Sequence, residues 1–301
     1  MNAPATLVPQ DLLDELQRVA FEAATGAAQV LSQYSPERLR EVSTKSSPTD
    51  LVSEADRASE AYIVSQLQSA RPSDSFVGEE GTSYSGTSRV SWVADPLDGT
   101  TNFFFDIPAF SVSLAAQYDG ISVVGVVVDV KRQETWTATV GRGAFCNGSP
   151  CHVASGRSVL ATALVATGFS YSTERRAQQA AMLPYLLPAV RDIRRFGSAA
   201  LDLCWVAAGR FDAFYEQGLN AWDSAAGSLI CEEAGGQVTV LLGDTLLAST
   251  RELTGPLAEL LTKAHDAAGI TRPDADAGTG GPDAGHGGDE CDVLRGDDPA
   301  P

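Results

Sequence analysis

The segment after Phe110 constrains the fold most, because it carries one strand directly after another. It reads SVSLAAQYDGISVVGVVVDV over residues 111–130. An Asp-Gly pair divides two apolar runs at Asp119–Gly120, which is typical of a two-residue β-hairpin turn. A second polar turn at Lys131–Gln133 precedes another strand that ends near Thr139. GRGAFCNG (141–148) predicts a further glycine-rich hairpin, since its spacing is wrong for a dinucleotide fingerprint and no helix pattern follows.

Two helices precede this sheet. Apolar residues at helical spacing predict the first over Gln10–Gln33, and a second amphipathic pattern runs from about Glu54 to Ala70. A short strand at Ser75–Val77 and a Ser/Gly/Thr-rich linker at 81–88 come next. A further strand spans Val90–Ala94.

The second half of the chain alternates between strands and helices. Strands are predicted at 163–166, 192–196 and 212–215, and helices at about 173–187, 199–208 and 223–234. Such alternation is typical of an α/β arrangement. We therefore expect an α+β N-terminal half that binds metal (1–155) and an α/β C-terminal half that completes the active site (156–270). From residue 271 to 301 the chain is rich in Asp, Gly, Ala and Pro, which predicts a disordered acidic tail.

The charge balance excludes some classes of function. The 301 residues include 39 acidic and 21 basic ones, a formal net charge of −18. Nonspecific nucleic-acid binding is therefore not expected, because it requires a basic face.

No basic segment followed by an apolar one opens the chain, and the longest apolar run, Val123–Val128, is too short to span a bilayer. Five cysteines without a Cys-x-x-Cys pair favour a reduced, cytoplasmic protein without structural zinc.

Carboxylates recur where loops leave the predicted strands, the edge at which open α/β sheets bind ligands. They are Asp50, Asp56, Glu79, Glu80, Asp95, Asp98 and Asp223. Each one alone suits a turn or a helix cap, and Asp223 suits a helix start. Together they favour a hard cation such as Mg²⁺, which takes carboxylate and phosphate oxygens.

The motif ADPLDGTTNF (94–103) also suits phosphate. If a helical turn begins after Asp98, the amides of Gly99, Thr100 and Thr101 are free to hold a phosphoryl group. The Asp-x-x-Asp spacing suits metal bridging better than the Asp-x-Asp pair of an aspartyl nucleophile. No Ser-His-Asp set is expected from the three histidines, His152, His265 and His286.

Four motifs in order carry a resemblance to a known family. They are KSSPTDLVSEAD, GEEG, WVADPLDGTTNF and AWDSAAGSLICEEAGG, supported by RRFGSAALDLCWVAAGRFDAFYEQG. Over roughly residues 10–265 the chain resembles the inositol monophosphatase family of lithium-sensitive Mg²⁺-dependent phosphatases, and most of all its actinobacterial members. The resemblance implies the five-layered αβαβα sandwich of the inositol monophosphatase and fructose-1,6-bisphosphatase type. It also implies a lithium-sensitive hydrolase that acts as a homodimer.

The resemblance further implies two to three Mg²⁺ ions in each active site. Glu79, Asp95 and the Leu97 carbonyl would hold the first ion. Asp95, Asp98 and Asp223 would hold the second, and Glu79 would help to hold a third.

Roles in catalysis follow from the same resemblance. Asp56 would hydrogen-bond Thr100, and this pair with Glu79 would orient and deprotonate the attacking water. The backbone of Gly99 and Thr100 would bind phosphate. Lys45 matches a family lysine near the metal loop.

Matches at Asp98, Ala199, Glu216 and Asp223 imply contacts with sugar-alcohol hydroxyls, so inositol 1-phosphate is the expected substrate. Phe169 stands where relatives often carry a small polar residue, and histidinol phosphate or another small sugar phosphate is the alternative. A regulatory partner of the transcription machinery is an alternative of another class.

Overall fold

The computed structural model describes residues 8–34 and 48–270, with the backbone alone over 48–53. Lys45, the side chain of Asp50 and the predicted acidic tail lie outside the described residues. Helices are α1 (Gln10–Gln33), α2 (Pro48–Ala70), α3 (Thr100–Phe104), α4 (Thr173–Leu186), α5 (Ala199–Ala207), α6 (Ala221–Glu233) and α7 (Arg251–Ala267), with a 3₁₀ turn at Leu160–Thr162.

Thirteen strands form two sheets in the described part of the chain. The larger sheet has the order β2-β1-β3-β4-β5-β6-β7-β8, with β1 (Ser75–Gly78), β2 (Ser83–Tyr84), β3 (Val90–Asp98), β4 (Ser111–Tyr118), β5 (Ile121–Asp129), β6 (Glu134–Thr139), β7 (Ala144–Cys146) and β8 (Ser149–Cys151). The smaller sheet has the order β10-β9-β11-β13-β12, with β9 (Leu164–Thr167), β10 (Asp192–Arg194), β11 (Ala213–Gln217), β12 (Gln237–Leu241) and β13 (Thr245–Ser249).

The helices and sheets stack in five layers. Helices α1 and α2 pack together, and α1 covers one face of the larger sheet. Helices α5 and α6 fill the space between the sheets, with α6 on strands β3 to β6 and α5 reaching β11 and β13. Helices α4 and α7 cover the outer face of the smaller sheet. This is the expected αβαβα sandwich, in which the apolar faces of both sheets are buried.

The predicted hairpins are confirmed. Asp119 and Gly120 join β4 to β5 with φ values of 51° and 79°. Positive φ at both central residues is the geometry that an Asp-Gly turn adopts. Asn147 and Gly148 join β7 to β8 in the same left-handed region.

Several boundaries differ from those expected. Helix α2 begins at Pro48 rather than Glu54, and proline is well suited to a first helical position. Strand β3 continues through Asp98 instead of ending at Ala94. The region at 81–88 contains the two-residue strand β2, which pairs with β1.

Three elements were not anticipated: β12, β13 and α7. Helix α7 contains Gly255 and Pro256, which disfavour a helix in an isolated sequence. Leu253, Leu257 and Leu261 are buried along one face of it. Burial of this apolar face against the sheet stabilises the helix in spite of its poor local propensity.

No helix among the described residues combines the length and apolar character needed to cross a membrane.

The strands of the larger sheet end with β8 at Cys151, and the strands of the smaller sheet begin with β9 at Leu164. The proposed division near residue 155 remains a prediction, because α5 and α6 share one apolar core with both sheets.

Candidate active site

A bulge in β3 places two aspartates on one face of the larger sheet. Asp95 pairs with Ser113 and Asp98 pairs with Ser111, so three steps along β3 match two steps along β4. In a regular strand, residues three apart point to opposite faces. The extra residue restores the same side for both carboxylates, and a proline is tolerated at such a bulge. Pro96 therefore lies in this irregularity of the strand.

Asp98 is held by the N-terminus of α5. Its Oδ2 accepts a hydrogen bond from the Ser198 hydroxyl at 2.6 Å and one from the Ala200 amide at 2.8 Å. The Ala199 amide and the Ser111 hydroxyl also donate hydrogen bonds to the Asp98 carboxylate. The positive end of a helix stabilises a carboxylate. Asp98, from the larger sheet, thus fixes the start of a helix that leads to the smaller sheet.

Asp95 on β3 and Glu79 in the turn after β1 lie side by side. The Leu97 amide donates to Asp95 Oδ1 at 2.9 Å, and the Asp95 carboxyl also hydrogen-bonds Glu79. Asp95 is 2% exposed, whereas Glu79 is exposed as a whole residue although its carboxyl group is largely buried. The Glu79 amide donates to the Ala94 carbonyl at 3.2 Å, which places this turn beside β3.

Two further carboxylates approach from the second half of the chain. Asp223 is the third residue of α6, where its Oδ2 accepts the Asn220 amide at 2.6 Å in a capping box. Glu216 lies on β11. Asp98 raises the pKa of each through its charge, after the larger effect of burial. The five acids Glu79, Asp95, Asp98, Glu216 and Asp223 therefore face one region between the sheets.

Burial raises the pKa of every carboxyl in this region, and the charges of neighbouring acids raise it further for all of them except Asp98. Burial is the larger cause, and it brings the pKa of Asp98 to about 6, of Glu79 and Asp223 to about 7 and of Glu216 to about 8. Burial and the charges of Glu79, Asp98 and Asp223 raise the pKa of Asp95 well above its usual range. These acids are therefore close enough to oppose one another's ionisation. A cation among them would favour the charged forms.

The donor chemistry fits a hard cation. The facing side chains offer only carboxylate oxygens, the ligands that Mg²⁺ prefers, with no cysteine or histidine among them. Among the side chains that the structure describes, however, no three from aspartate, glutamate, histidine or cysteine converge at the spacing of a finished metal site. The carboxylates are therefore gathered in one region without meeting at one point.

The expected hydrogen bond between Asp56 and Thr100 is not formed. The Thr100 hydroxyl donates instead to the Leu97 carbonyl, three residues earlier, at 3.1 Å. Threonine at the start of a helix readily bonds such a nearby backbone group. Asp56 is 3% exposed, and its Oδ1 has no hydrogen-bond partner among the described residues. Burial and the charges of Glu80, Glu79 and Glu60 raise its pKa to about 9.

The predicted phosphate segment begins α3. Gly99 has φ of 94°, and a Cβ added there would meet the Ala109 carbonyl, so glycine suits this position. The first intrahelical bond runs from the Phe103 amide to the Gly99 carbonyl. The amides of Gly99, Thr100 and Thr101 precede this bond.

Sequence reasoning missed the side chains that support these loops. Asn102 is buried, and its Nδ2 donates to the carbonyls of Ala109 and Phe196 at 2.7 and 2.6 Å. Ser198 and Ser111 contact Asp98. A serine before the helical run AALDLC is an N-cap signal, which points to Ser198. Nothing in the sequence pattern points to Ser111 or Asn102.

The loop that contains Phe169 reaches the edge of α3. The Tyr171 hydroxyl lies 3.3 Å from Thr101 Oγ1, and Ala199 lies at the first position of α5.

A cleft of about 490 Å³ lies elsewhere, between α2 and the turn after β1. It is lined by Arg57, Glu60, Ala61, Val64, Ser65, Gln68, Glu80 and Thr82. Since none of the facing carboxylates lines it, we place the chemistry at the carboxylates and not in this cleft.

Known proteins are similar to this chain in sequence and in fold. The model of the inositol monophosphatase family matches residues 12–270. An inositol-1-monophosphatase from Mycobacterium bovis is 47% identical over 205 residues, 65% of this chain and 71% of the relative. A Nus factor SuhB from Pseudomonas aeruginosa is 40% identical over 267 residues, 86% of this chain and 93% of the relative.

A solved structure of Mycobacterium tuberculosis SuhB superposes with a TM-score of 0.73 at 40% identity, covering 83% of this chain and 97% of that one. The similarity of sequence and the similarity of fold both extend over most of the described residues. The chain belongs to the inositol monophosphatase family.

Proposed function

We propose that this protein is a Mg²⁺-dependent phosphomonoesterase that hydrolyses inositol 1-phosphate to inositol and phosphate. The observation that carries the proposal is the group of facing carboxylates around Asp95 and Asp98, whose pKa values are raised by burial and, at Asp95, also by the charges of its neighbours. An all-oxygen acidic site beside unengaged backbone amides suits a divalent cation together with a phosphate group. The similarity to a mycobacterial inositol-1-monophosphatase supports the substrate.

The proposed metal ligands are Glu79, Asp95, Asp98, Asp223 and the Leu97 carbonyl. When bound, two to three Mg²⁺ ions would activate water and offset negative charge on the phosphoryl group. The ligands come from the turn after β1, from the bulged end of β3 and from the N-terminus of α6. Asp98 is further oriented by Ser198 and Ala200.

The attacking water loses its proton to a carboxylate of this chain. Asp56 Oδ1, buried and without a partner among the described residues, is the proposed acceptor, because bound cations would lower its raised pKa and leave it ionised. Thr100 and Glu79 would orient the water. The water oxygen forms the new bond to phosphorus as the ester P–O bond breaks. The departing inositol oxygen takes a proton from solvent. No covalent phosphoenzyme is required, because water is the nucleophile.

Substrate recognition is proposed for both halves of the chain. The amides of Gly99 and Thr100 would hold the phosphate, and Asp98, Glu216, Asp223 and the start of α5 at Ala199 would face the inositol hydroxyls. Carboxylates bind neighbouring hydroxyls through hydrogen bonds, which distinguishes a polyol from an apolar alcohol.

A phosphate-release screen tests this function. Its substrates are inositol 1-phosphate, histidinol phosphate, fructose 1,6-bisphosphate and 3′-phosphoadenosine 5′-phosphate, each with and without Mg²⁺ and Li⁺. We expect the fastest release from inositol 1-phosphate, only with Mg²⁺, and inhibition by Li⁺. Faster release from histidinol phosphate would reassign the substrate within the same chemistry. Release without Mg²⁺, or from none of the four, would refute the proposal.

A second candidate function is a regulatory role with the transcription machinery, favoured by the similarity to a relative named Nus factor SuhB. A pull-down with purified RNA polymerase tests it, and catalytically inactive variants should bind equally well if this role is separate.

We also propose that the protein is a cytoplasmic homodimer. Cell fractionation tests the location, and analytical ultracentrifugation tests the oligomeric state.

A further inference from the structure

Helix α2 carries two buried polar side chains that contact the segments on which Glu79, Asp95 and Asp98 lie. Ser59 and Glu60 lie one turn beyond Asp56 and are 0% and 3% exposed. The Ser59 hydroxyl donates to the Pro96 carbonyl at 2.8 Å, in the bulge between Asp95 and Asp98. Glu60 contacts the other acidic segment, the turn that carries Glu79. The roles described above use neither side chain.

The Glu60 carboxylate uses both of its oxygens on this turn. Oε2 accepts the Glu80 amide at 3.2 Å, and Oε1 accepts the Thr82 amide at 3.3 Å. The amide of Gly78 donates to the Thr82 carbonyl at 2.9 Å and closes the same turn. A carboxylate is well suited to this position, because it accepts two amides without offering a donor of its own.

We infer that Glu60 is a positioning residue for Glu79 at the proposed phosphatase site, an inference that rests on the proposed function. The two amides that flank the Glu79 Cα are both fixed. Its own amide bonds the Ala94 carbonyl of β3, and the next amide bonds Glu60. Loss of the second bond frees rotation on the C-terminal side of Glu79, while the first bond still holds the N-terminal side. Glu79 then turns away from Asp95 more easily.

Gly78 gives an independent view of the same contact. A Cβ built on Gly78 would overlap Glu60 Oε2, which is the closest atom, and would also crowd Glu60 Cδ and the Phe76 ring. The φ of Gly78 is not in the left-handed region, so alanine is allowed there by the backbone. The close approach of the strand to Glu60 therefore accounts for glycine at this position. Gly78→Ala displaces the carboxylate without changing its charge.

Glu60→Gln tests the inference, because glutamine has nearly the same shape but one acceptor oxygen fewer. The matched control is Glu233→Gln. Glu233 also accepts two amides, from Gly141 and Gly143 at 2.8 Å each. It lies at the other end of α6 from Asp223, about 15 Å away at 1.5 Å per residue.

Two measurements are made on each variant. Hydrogen exchange followed by NMR should show the Glu80 and Thr82 amides exchanging about tenfold faster or more in Glu60→Gln, the size expected for a lost charge-assisted hydrogen bond. Calorimetric titration should show Mg²⁺ binding weakened about tenfold, within the range for groups that orient metal ligands. Gly78→Ala should change both quantities in the same direction, whereas Glu233→Gln should change neither.

The outcomes separate this inference from the proposed function. If Glu60→Gln binds Mg²⁺ as Glu233→Gln does, Glu60 does not position Glu79, even when the wild-type protein is an active phosphatase. Faster exchange with unchanged Mg²⁺ affinity overturns it equally. If the wild-type protein releases no phosphate, the proposed function fails, while exchange and titration still decide the role of Glu60.

Discussion

Asp98 shows how one residue joins chemistry to folding. Its Oδ2 is shared between Ser198 and Ala200 at the start of α5, and it faces Asp95, Asp223 and Glu216. The hydrogen bonds lower its pKa, whereas burial raises it more strongly, to about 6. Its neighbour Asp95 instead accepts the Leu97 amide, and the charges of the facing acids raise its pKa further. The two aspartates of one motif therefore have different surroundings.

Asp95→Asn is the sharpest prediction at this scale. The amide oxygen of asparagine can still accept the Leu97 amide, so the fold is kept. Loss of a proposed bridging carboxylate should lower phosphate release by more than about 100-fold, beyond the effect of an outer ligand partner. Circular dichroism and phosphate release are measured together. Near-normal activity in a folded variant would show that Asp95 does not bridge metals.

At the scale of elements, the N-termini of α5 and α6 meet the bulged end of β3. Ser198 caps α5 by accepting the Leu201 amide at 3.3 Å and also donates to Asp98. Asp223 takes part in the capping box of α6. Residues with ordinary capping roles thus also belong to the proposed site. This dual use explains why capping and catalytic interpretations of Asp223 were both consistent with the sequence.

Ser198→Ala should affect stability and activity together. Removal of the cap and of the bond to Asp98 should lower the free energy of unfolding by about 1–3 kcal/mol. Phosphate release should also fall, because Asp98 loses a partner. Ser172→Ala, which removes the cap of α4, is the control. It should lower the unfolding free energy by about 1 kcal/mol and leave phosphate release unchanged. Equal activity in both variants would contradict the role of Ser198.

At the scale of the whole molecule, a five-layered core holds a group of acids at the junction of its two sheets. Burial raises the pKa of Asp98 to about 6, of Glu216 to about 8 and of Asp56 to about 9. The folded protein therefore keeps protons that the unfolded chain has lost above about pH 4. The contribution of these groups to the free energy of unfolding is therefore greatest below that pH. It falls as the pH rises through their folded-state pKa values.

In chelator, the melting temperature should consequently fall between pH 6 and pH 8, by about 3 °C or more. Glu216→Gln should show a smaller fall, since one of the titrating groups is removed. Saturating Mg²⁺ should also reduce the fall, because a bound cation favours the ionised carboxylates. Differential scanning calorimetry measures all three. A melting temperature that rises from pH 6 to pH 8 in chelator would refute this account.

Local sequence patterns were enough to predict the local elements and the identity of the acids. Hairpins at Asp119–Gly120 and Asn147–Gly148 follow from residues that tolerate positive φ, and α1 follows from helical spacing alone. The family motifs were also sufficient to anticipate the five layers. Local patterns worked here because the relevant physics acts within a few residues.

The way in which these elements pack against one another depends on the whole fold. Helix α7 forms in spite of Gly255 and Pro256, because burial against the sheet outweighs propensity. The β3 bulge depends on pairing with β4, and the Thr100 hydroxyl bonds Leu97 rather than Asp56. Glu60 contacts a turn twenty residues away, which no local pattern reveals. Contacts between residues distant in sequence depend on the packed fold, so they become visible only once that fold is known.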